Sequence, residues 1–155
     1  MQVRKFKKRD DRYVKDLIIS ILTKEYPFDK SVYEDSDVSG IEGAYSGKRE
    51  VFFVLESDGK ILGTIGIKEE SPETALIRRL FVDRSCRRKG YGALLMDKAI
   101  IHCKRNSFKN IVFRTTGRMI QAINLVKKMN FEEKEKIDLG GFQIYKFFLD
   151  LKTDS

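Results

Sequence analysis

The strongest constraint in this sequence lies between residues 75 and 105. An apolar run, Ala75 to Val82, meets a basic turn, Asp83-Arg84-Ser85-Cys86-Arg87-Arg88-Lys89. Gly90-Tyr91-Gly92 follows, and a helical pattern then runs from Gly92 to Arg105. A strand that empties through a turn into a helix commits the chain to helices packed on a sheet. The turn also carries chemistry. A helix start leaves backbone N–H groups unpaired and holds partial positive charge, and glycine lets a ligand approach the backbone closely. With Arg84, Arg87, Arg88 and Lys89 at its rim, the segment predicts a cradle for a phosphate or pyrophosphate.

The rest of the chain predicts a mixed sheet. Residues 2–6 read as an opening strand, and Asp10 or Asp11 as the cap of a helix. Val14, Leu17, Ile18, Ile21 and Leu22 share one face of that helix, which Pro27 ends. Residues 36–45 read as a second helix, capped by Ser36, with Val38, Ile41 and Tyr45 on one side and Gly40 and Gly43 weakening it. Val51 to Leu55 and Lys60 to Lys68 flank the tight-turn pair Asp58-Gly59 and read as a hairpin. Ala75 to Val82 reads as a central strand, with Leu76, Leu80 and Val82 on one face and Ile77 and Phe81 on the other. Asn110 to Thr115 reads as a strand and Thr116 to Met129 as a helix. Phe131 to Ile137 and Phe142 to Leu149 read as a closing hairpin around Gly140-Gly141. This order predicts one α/β (α+β) domain over residues 1–155, a mixed, mostly antiparallel sheet of six to seven strands flanked by about four helices.

Composition narrows the function classes. Hydrophobic residues make up 41% of the 155 residues and charged residues 35%, the balance of a soluble domain. No run is long and apolar enough for a membrane helix, and the basic N-terminal residues lack the apolar stretch of a signal peptide. No membrane partner and a cytoplasmic location are expected, in keeping with two cysteines, Cys86 and Cys103, that form no metal motif. His102 is the single histidine, so no metal site is expected. The formal net charge of +8 fits either a nucleic acid or a small polyanion. The basic residues are scattered, with no stacking platform or groove-reading helix, so no nucleic acid is expected.

Known phosphate loops differ from this one. A P-loop places Gly-Lys-Ser/Thr where Gly92-Ala93-Leu94 stands, and a dinucleotide fingerprint needs a small residue at Leu95. Arg87-Arg88-Lys89-Gly90-Tyr91-Gly92 instead resembles the coenzyme A pyrophosphate loop of the GNAT N-acetyltransferase family. Arg79 to Val82 looks like that family's central strand, Ala122 to Phe131 like its second signature, and Asp58 to Gly66 like its entry hairpin. The resemblance covers residues 3 to 149 and implies acetyl-CoA as acyl donor, with no metal. It further implies backbone contacts to the pantetheine arm and acetyl carbonyl at Leu80, Phe81 and Val82. Pyrophosphate contacts are implied along Arg87, Arg88, Lys89, Gly90, Tyr91, Gly92 and Ala93. The thioester is implied to lie where strand 75–82 splays from strand 110–115, and the acceptor to be an amine of a small molecule or peptide. A homodimer is a further possibility the family leaves open.

The chain departs from the family pattern in several places. Val126 stands where many relatives carry a tyrosine acid, Met119 where many carry asparagine, and Leu76 where many carry a glutamate base. Glu70 and Glu73 are the nearest carboxylates to that strand and the candidate bases, against the alternative that both are solvated charges beside Pro72. Asn130 replaces a glycine after the helix and tolerates the left-handed conformation expected there. Direct transfer needs no nucleophile from Cys86. His102 is expected on an exposed helix surface and Tyr91 packed within the loop. The acids Glu25, Asp29, Glu34, Asp35, Asp37 and Glu42 hint at a cationic acceptor. The alternative to an enzyme is an acyl-CoA-binding module with little turnover.

Overall fold

The computed structural model describes residues 1–29 and 37–151. In chain order these form β1 (Gln2–Lys5), α1 (Asp11–Glu25), α2 (Ile41–Ala44), β2 (Val51–Ser57), β3 (Lys60–Glu69) and β4 (Thr74–Val82). They continue with α3 (Tyr91–Arg105), β5 (Asn110–Thr116), α4 (Ile120–Lys128), β6 (Glu132–Leu139) and β7 (Phe142–Asp150). One seven-stranded sheet runs β1-β2-β3-β4-β5-β7-β6. β4 and β5 are parallel, and the other neighbours are antiparallel. This is the mixed, mostly antiparallel sheet expected from the order of elements. Asp58 and Gly59 both take positive φ, 51° and 76°, the turn geometry that matches strand twist in a two-residue hairpin.

The sheet buries an apolar cluster on each face. On one, Ile65, Ile67, Ile77, Ile111 and Phe113 meet Leu95, Met96, Ala99 and Cys103 of α3 and Val126 of α4. On the other, Val14, Ile18, Ile21 and Leu22 of α1 and Ile41 of α2 pack on Phe52, Val54 and Phe81. The α1 stripe is the one its spacing predicts. Burial pushes the Cys103 thiol up to about 12, which leaves it inert.

Local chemistry moves several boundaries. Asp10 precedes α1 but does not cap it: its carboxylate accepts the Lys7 amide at 2.8 Å and pairs with Arg4 at 2.8 Å. The second helix contracts to Ile41–Ala44, with Gly40 and Gly43 at its edges, although Val38, Ile41 and Tyr45 are buried together as expected. The proposed cap Ser36 lies outside the described residues. Thr116 ends β5 rather than opening α4, because its hydroxyl donates to the buried Asp29 at 2.5 Å.

The largest departure is inside β4. Its register with β3 shifts between Thr64↔Phe81 and Gly66↔Arg78, leaving Arg79 and Leu80 together opposite Ile65. This β-bulge, with Arg79 at φ 55°, changes the phase of the strand. Leu80 and Val82 therefore join the cluster of Ile77, and Phe81 alone turns toward α1. The simple alternation expected for Leu76 to Val82 does not survive it.

Candidate functional site

β4 and β5 pair only from Thr74↔Asn110 to Ile77↔Phe113. The two parallel strands then separate. Among the described residues, the β5-facing edge of Leu80 to Val82 has no strand partner. Backbone N–H and C=O groups on such an edge require partners, and here they border a cavity of about 450 Å³. Leu80, Phe81 and Val82 form its wall, the start of α3 its mouth, and Ala122, Asn124 and Leu125 of α4 the opposite side. A second cavity of about 300 Å³ adjoins it, sharing Leu80, Met119 and Ala122, and is lined further by Leu76, Arg78, Arg79, Arg114 and Thr115.

The loop at the mouth is built from short-range bonds. Asp83 Oδ1 accepts the Ser85 amide at 2.9 Å, and one 3₁₀ turn, Arg84–Cys86, follows. Arg88 and Gly90 then take φ 65° and 79°, which turns N–H groups toward one another's side as in an anion-binding nest. Gly90 precedes α3 without any side-chain cap, and a Cβ built on it would meet nothing within 4 Å. The first N–H groups of α3 are thus open on a basic loop, which fits a pyrophosphate.

Arg87 has a different role from the one its position suggests. Its guanidinium pairs with Glu25 at the end of α1, with Nη2 2.7 Å from Oε2, and Nε donates to the Val82 carbonyl at 3.2 Å. It ties α1 across the loop, while Arg88 and Lys89 remain exposed. Leu80, Phe81, Val82, Arg87, Arg88, Gly90, Tyr91, Gly92 and Ala93 all line the larger cavity, and Lys89 lies outside its lining.

The bulge in β4 is held by a buried polar network. A left-handed φ costs a non-glycine residue roughly 1–2 kcal/mol. The Arg79 guanidinium is buried and donates to Asp37 at 2.5 and 3.0 Å, and its carbonyl accepts from Thr64 Oγ1 at 2.7 Å. Asp37 also accepts from the Tyr45 hydroxyl at 2.8 Å. The Tyr45 ring lies against Gly66, where a Cβ would come within 2.6 Å of it. Burial alone would raise the Asp37 carboxyl, but hydrogen bonds from Arg79 and Tyr45 and the charges of Arg79 and Arg78 hold it below its usual range. Burial and the neighbouring carboxylate raise the Tyr45 phenol far above its ordinary value.

The candidate bases lie elsewhere. Glu70 and Glu73 occupy the β3–β4 turn, before β4 begins, whereas β4 and β5 separate beyond Ile77. Glu70 pairs with Arg114 at 2.7 Å and Glu73 with Lys109 at 3.4 Å, and neither lines the two cavities. Among the described residues no carboxylate lines either. Val126 is fully buried against the sheet and likewise does not open on the gap. His102 is half-buried rather than exposed: Nε2 lies 2.8 Å from the Arg49 carbonyl, and its ring meets Phe53 edge-on. Asn130 takes φ 70°, the conformation expected of it.

Three of the six acids from Glu25 to Glu42 are paired with arginines. Glu25 pairs with Arg87, Asp29 with Arg118 at 2.6 Å and Asp37 with Arg79. Glu42 is exposed, and Glu34 and Asp35 lie outside the described residues. The Asp37–Arg79–Tyr45 network was not anticipated from sequence. Its one visible signal is the pair Arg78-Arg79 inside an otherwise apolar central strand, since a buried strand tolerates an arginine only with a partner.

A family model described as acetyltransferase (GNAT) family matches residues 15–131. The chain is 33% identical over 92 residues to an uncharacterized N-acetyltransferase of Methanocaldococcus jannaschii, an overlap of 56% of this chain and 41% of that one. It is 31% identical over 99 residues to streptothricin acetyltransferase A of Bacillus subtilis, covering 64% of this chain and 56% of the relative. The chain thus spans about half the length of these curated relatives. Among solved structures, a GNAT-family acetyltransferase from Staphylococcus aureus superposes with a TM-score of 0.83 at 22% identity, over 97% of this chain and 99% of the other. A putative acetyltransferase from Salmonella typhimurium, solved with acetyl-CoA, gives 0.81 at 15% identity over 100% and 96%. These likenesses establish the fold.

Proposed function

This chain belongs to the acetyltransferase (GNAT) family, and on that premise we propose that it transfers an acetyl group from acetyl-CoA to an amine of a small molecule or peptide by direct attack. The observation that carries the reading is continuity. The uncapped start of α3, the unpaired edge of β4 and the cavity in the β4–β5 gap form one path.

Each stretch of this path has a task. N–H groups of the loop from Arg87 to Ala93 hold the pyrophosphate, with Arg88 and Lys89 adding charge. The free edge of Leu80 to Val82 pairs with the pantetheine amides as it would with an added strand. Acetyl-CoA supplies an activated thioester. A backbone donor near Val82 polarises its carbonyl and stabilises the charge that develops on attack. A thiol's reference pKa is about 8.5, so the thiolate can depart without a protein acid. No carboxylate lines the gap among the described residues. Arg78 and Arg114 border the adjoining cavity, each paired with a carboxylate, Asp37 at 3.7 Å and Glu70 at 2.7 Å.

Thermal denaturation and thiol release test this reading. Acetyl-CoA and CoA should raise the melting temperature, since saturation at a hundred times Kd adds about 2.7 kcal/mol to the native state. Thiol release should exceed the water background with at least one amine of a panel containing an amino acid, a peptide N-terminus, streptothricin and spermidine. The absence of any thermal shift at millimolar acetyl-CoA would sink the proposal. A shift without release by any amine would reduce it to binding.

A further inference from the structure

We propose that Asp37 is a positioning residue for acetyl transfer: through Arg79 it holds the β4 bulge in the conformation that turns the backbone N–H groups of Leu80 and Val82 into the β4–β5 gap. The inference rests on the reading that this gap receives the thioester.

Strand geometry makes the bulge decisive. Side chains alternate between faces and backbone groups alternate between neighbouring strands, so a shift of one residue exchanges both sets. Arg79 is the extra residue. Were it to relax into regular strand, backbone groups now facing the gap would turn to β3. Arginine does not favour a φ of 55° by itself, so the conformation has to be imposed by its surroundings.

Four residues from three parts of the molecule converge to impose it. Asp37, from the segment before α2, takes two hydrogen bonds from the Arg79 guanidinium. Tyr45, just after α2, donates to Asp37 Oδ2. Thr64 of β3, fully buried, donates to the Arg79 carbonyl. Gly66 leaves the space that lets the Tyr45 ring reach Asp37. Both Asp37 oxygens are engaged, so the carboxylate is unsuited to accept a proton from substrate. A buried ion pair is also a poor choice for stability alone, since apolar replacements of similar volume are often neutral or better. Its placement on the one left-handed residue of the strand beside the gap accounts for it as a determinant of backbone geometry.

The test uses the full chain and carbonyl-labelled acetyl-CoA. Infrared difference spectra report the hydrogen bonding of the bound thioester carbonyl, titration gives the CoA dissociation constant, and thiol release with the fastest amine of the panel gives kcat. Removing one oxyanion donor typically lowers kcat about 10²–10³-fold. Misaligning one in Asp37→Asn should lower kcat about 10- to 100-fold. The CoA constant should change less than about threefold, because the loop supplies most ground-state binding, and the carbonyl band should move toward that of free acetyl-CoA. Adding Arg79→Gly to Asp37→Asn should restore part of kcat and of the band position, since glycine takes positive φ without help. A merely structural pair would regain stability in the double variant, which loses the unpaired Arg79 charge, without regaining kcat or the band position. If Asp37→Asn does not fold, Tyr45→Phe, which removes one donor to Asp37, is read by the same measurements, with a smaller loss of kcat expected. A folded variant with parental kcat and carbonyl band overturns the inference while the parent still turns over. A parent that binds no acetyl-CoA overturns the functional reading and this inference together.

Discussion

The two halves of β4 are made of similar residues and do different work. Thr74 to Ile77 is paired on both edges, to β3 and to β5, and buries Ala75 and Ile77 in the core. Leu80 to Val82, past the bulge, is paired on one edge and leaves the other to a cavity. A strand satisfied on both sides can only contribute stability. A strand satisfied on one side has backbone groups left for a ligand, and the fold must hold it open by other means. Here those means are the Asp37–Arg79 pair beneath it and the Glu25–Arg87 pair at its end. The lesson extends to α3, whose uncapped first turn faces the cavity while Cys103 and His102 near its end are packed.

This contrast can be broken most forcefully from the scaffold side. Ile77→Ala, at a site 2% exposed, should cost about 2–5 kcal/mol of folding stability. The melting-temperature increment from acetyl-CoA should remain, provided the variant is folded at the start of the scan. If the increment disappears instead, the two halves of β4 are not separable.

From the ligand side the expected pattern is the reverse. Gly90→Asp should cost roughly 1–2 kcal/mol for the left-handed conformation, in a space where its Cβ meets nothing. The acetyl-CoA increment should vanish, because a carboxylate would occupy and repel the pyrophosphate position. Parental CoA affinity in Gly90→Asp would place the donor site elsewhere.

The finest division lies along α3 and is read by pH. Burial lowers the His102 pKa, only partly offset by its bond to the Arg49 carbonyl. The unfolded chain therefore takes up a proton first, near pH 6.5, and stability falls from there as pH drops toward the folded pKa. Asp10 and Asp37 have lowered folded pKa values too. Their share of stability is complete above about pH 4 and is lost only below it. His102→Gln should flatten the first decline and leave the second. The acetyl-CoA increment should not follow His102, since the ligand belongs to the opposite end of α3. Equal slopes in parent and variant between pH 6.5 and 5, measured by urea denaturation and accurate to about 10–15%, would remove His102 from this account.

Much of the fold, and the basic glycine loop before α3, could be read from the sequence because their signals are local. The spacing of Val14, Ile18, Ile21 and Leu22, the Asp58-Gly59 turn and the strand-loop-glycine-helix run from Leu80 to Leu95 each lie within a few turns of chain. Hydrogen bonds between near neighbours make such segments, and their geometry follows from residue type. The surroundings of the candidate bases were not legible in the same way: Glu70 and Glu73 are held by Arg114 and Lys109, which arrive from distant parts of the chain. Val126 matches a signature position, yet a short helix starting at Ile120 turns it into the core.

The sequence by itself determined that a sheet with a basic, glycine-containing loop before a helix would offer backbone N–H groups to an anion. Only the tertiary structure decided where β4 changes phase, that Asp37 would lie under Arg79 across a separation of 42 residues, and that Arg87 would be held by Glu25 across 62. A bulge is a compromise between two strands' registers, and a buried charge is tolerable only where its partner arrives from elsewhere in the chain. Neither condition is written in any single segment. Both arise when distant segments are brought together by burying the two apolar faces of the same sheet.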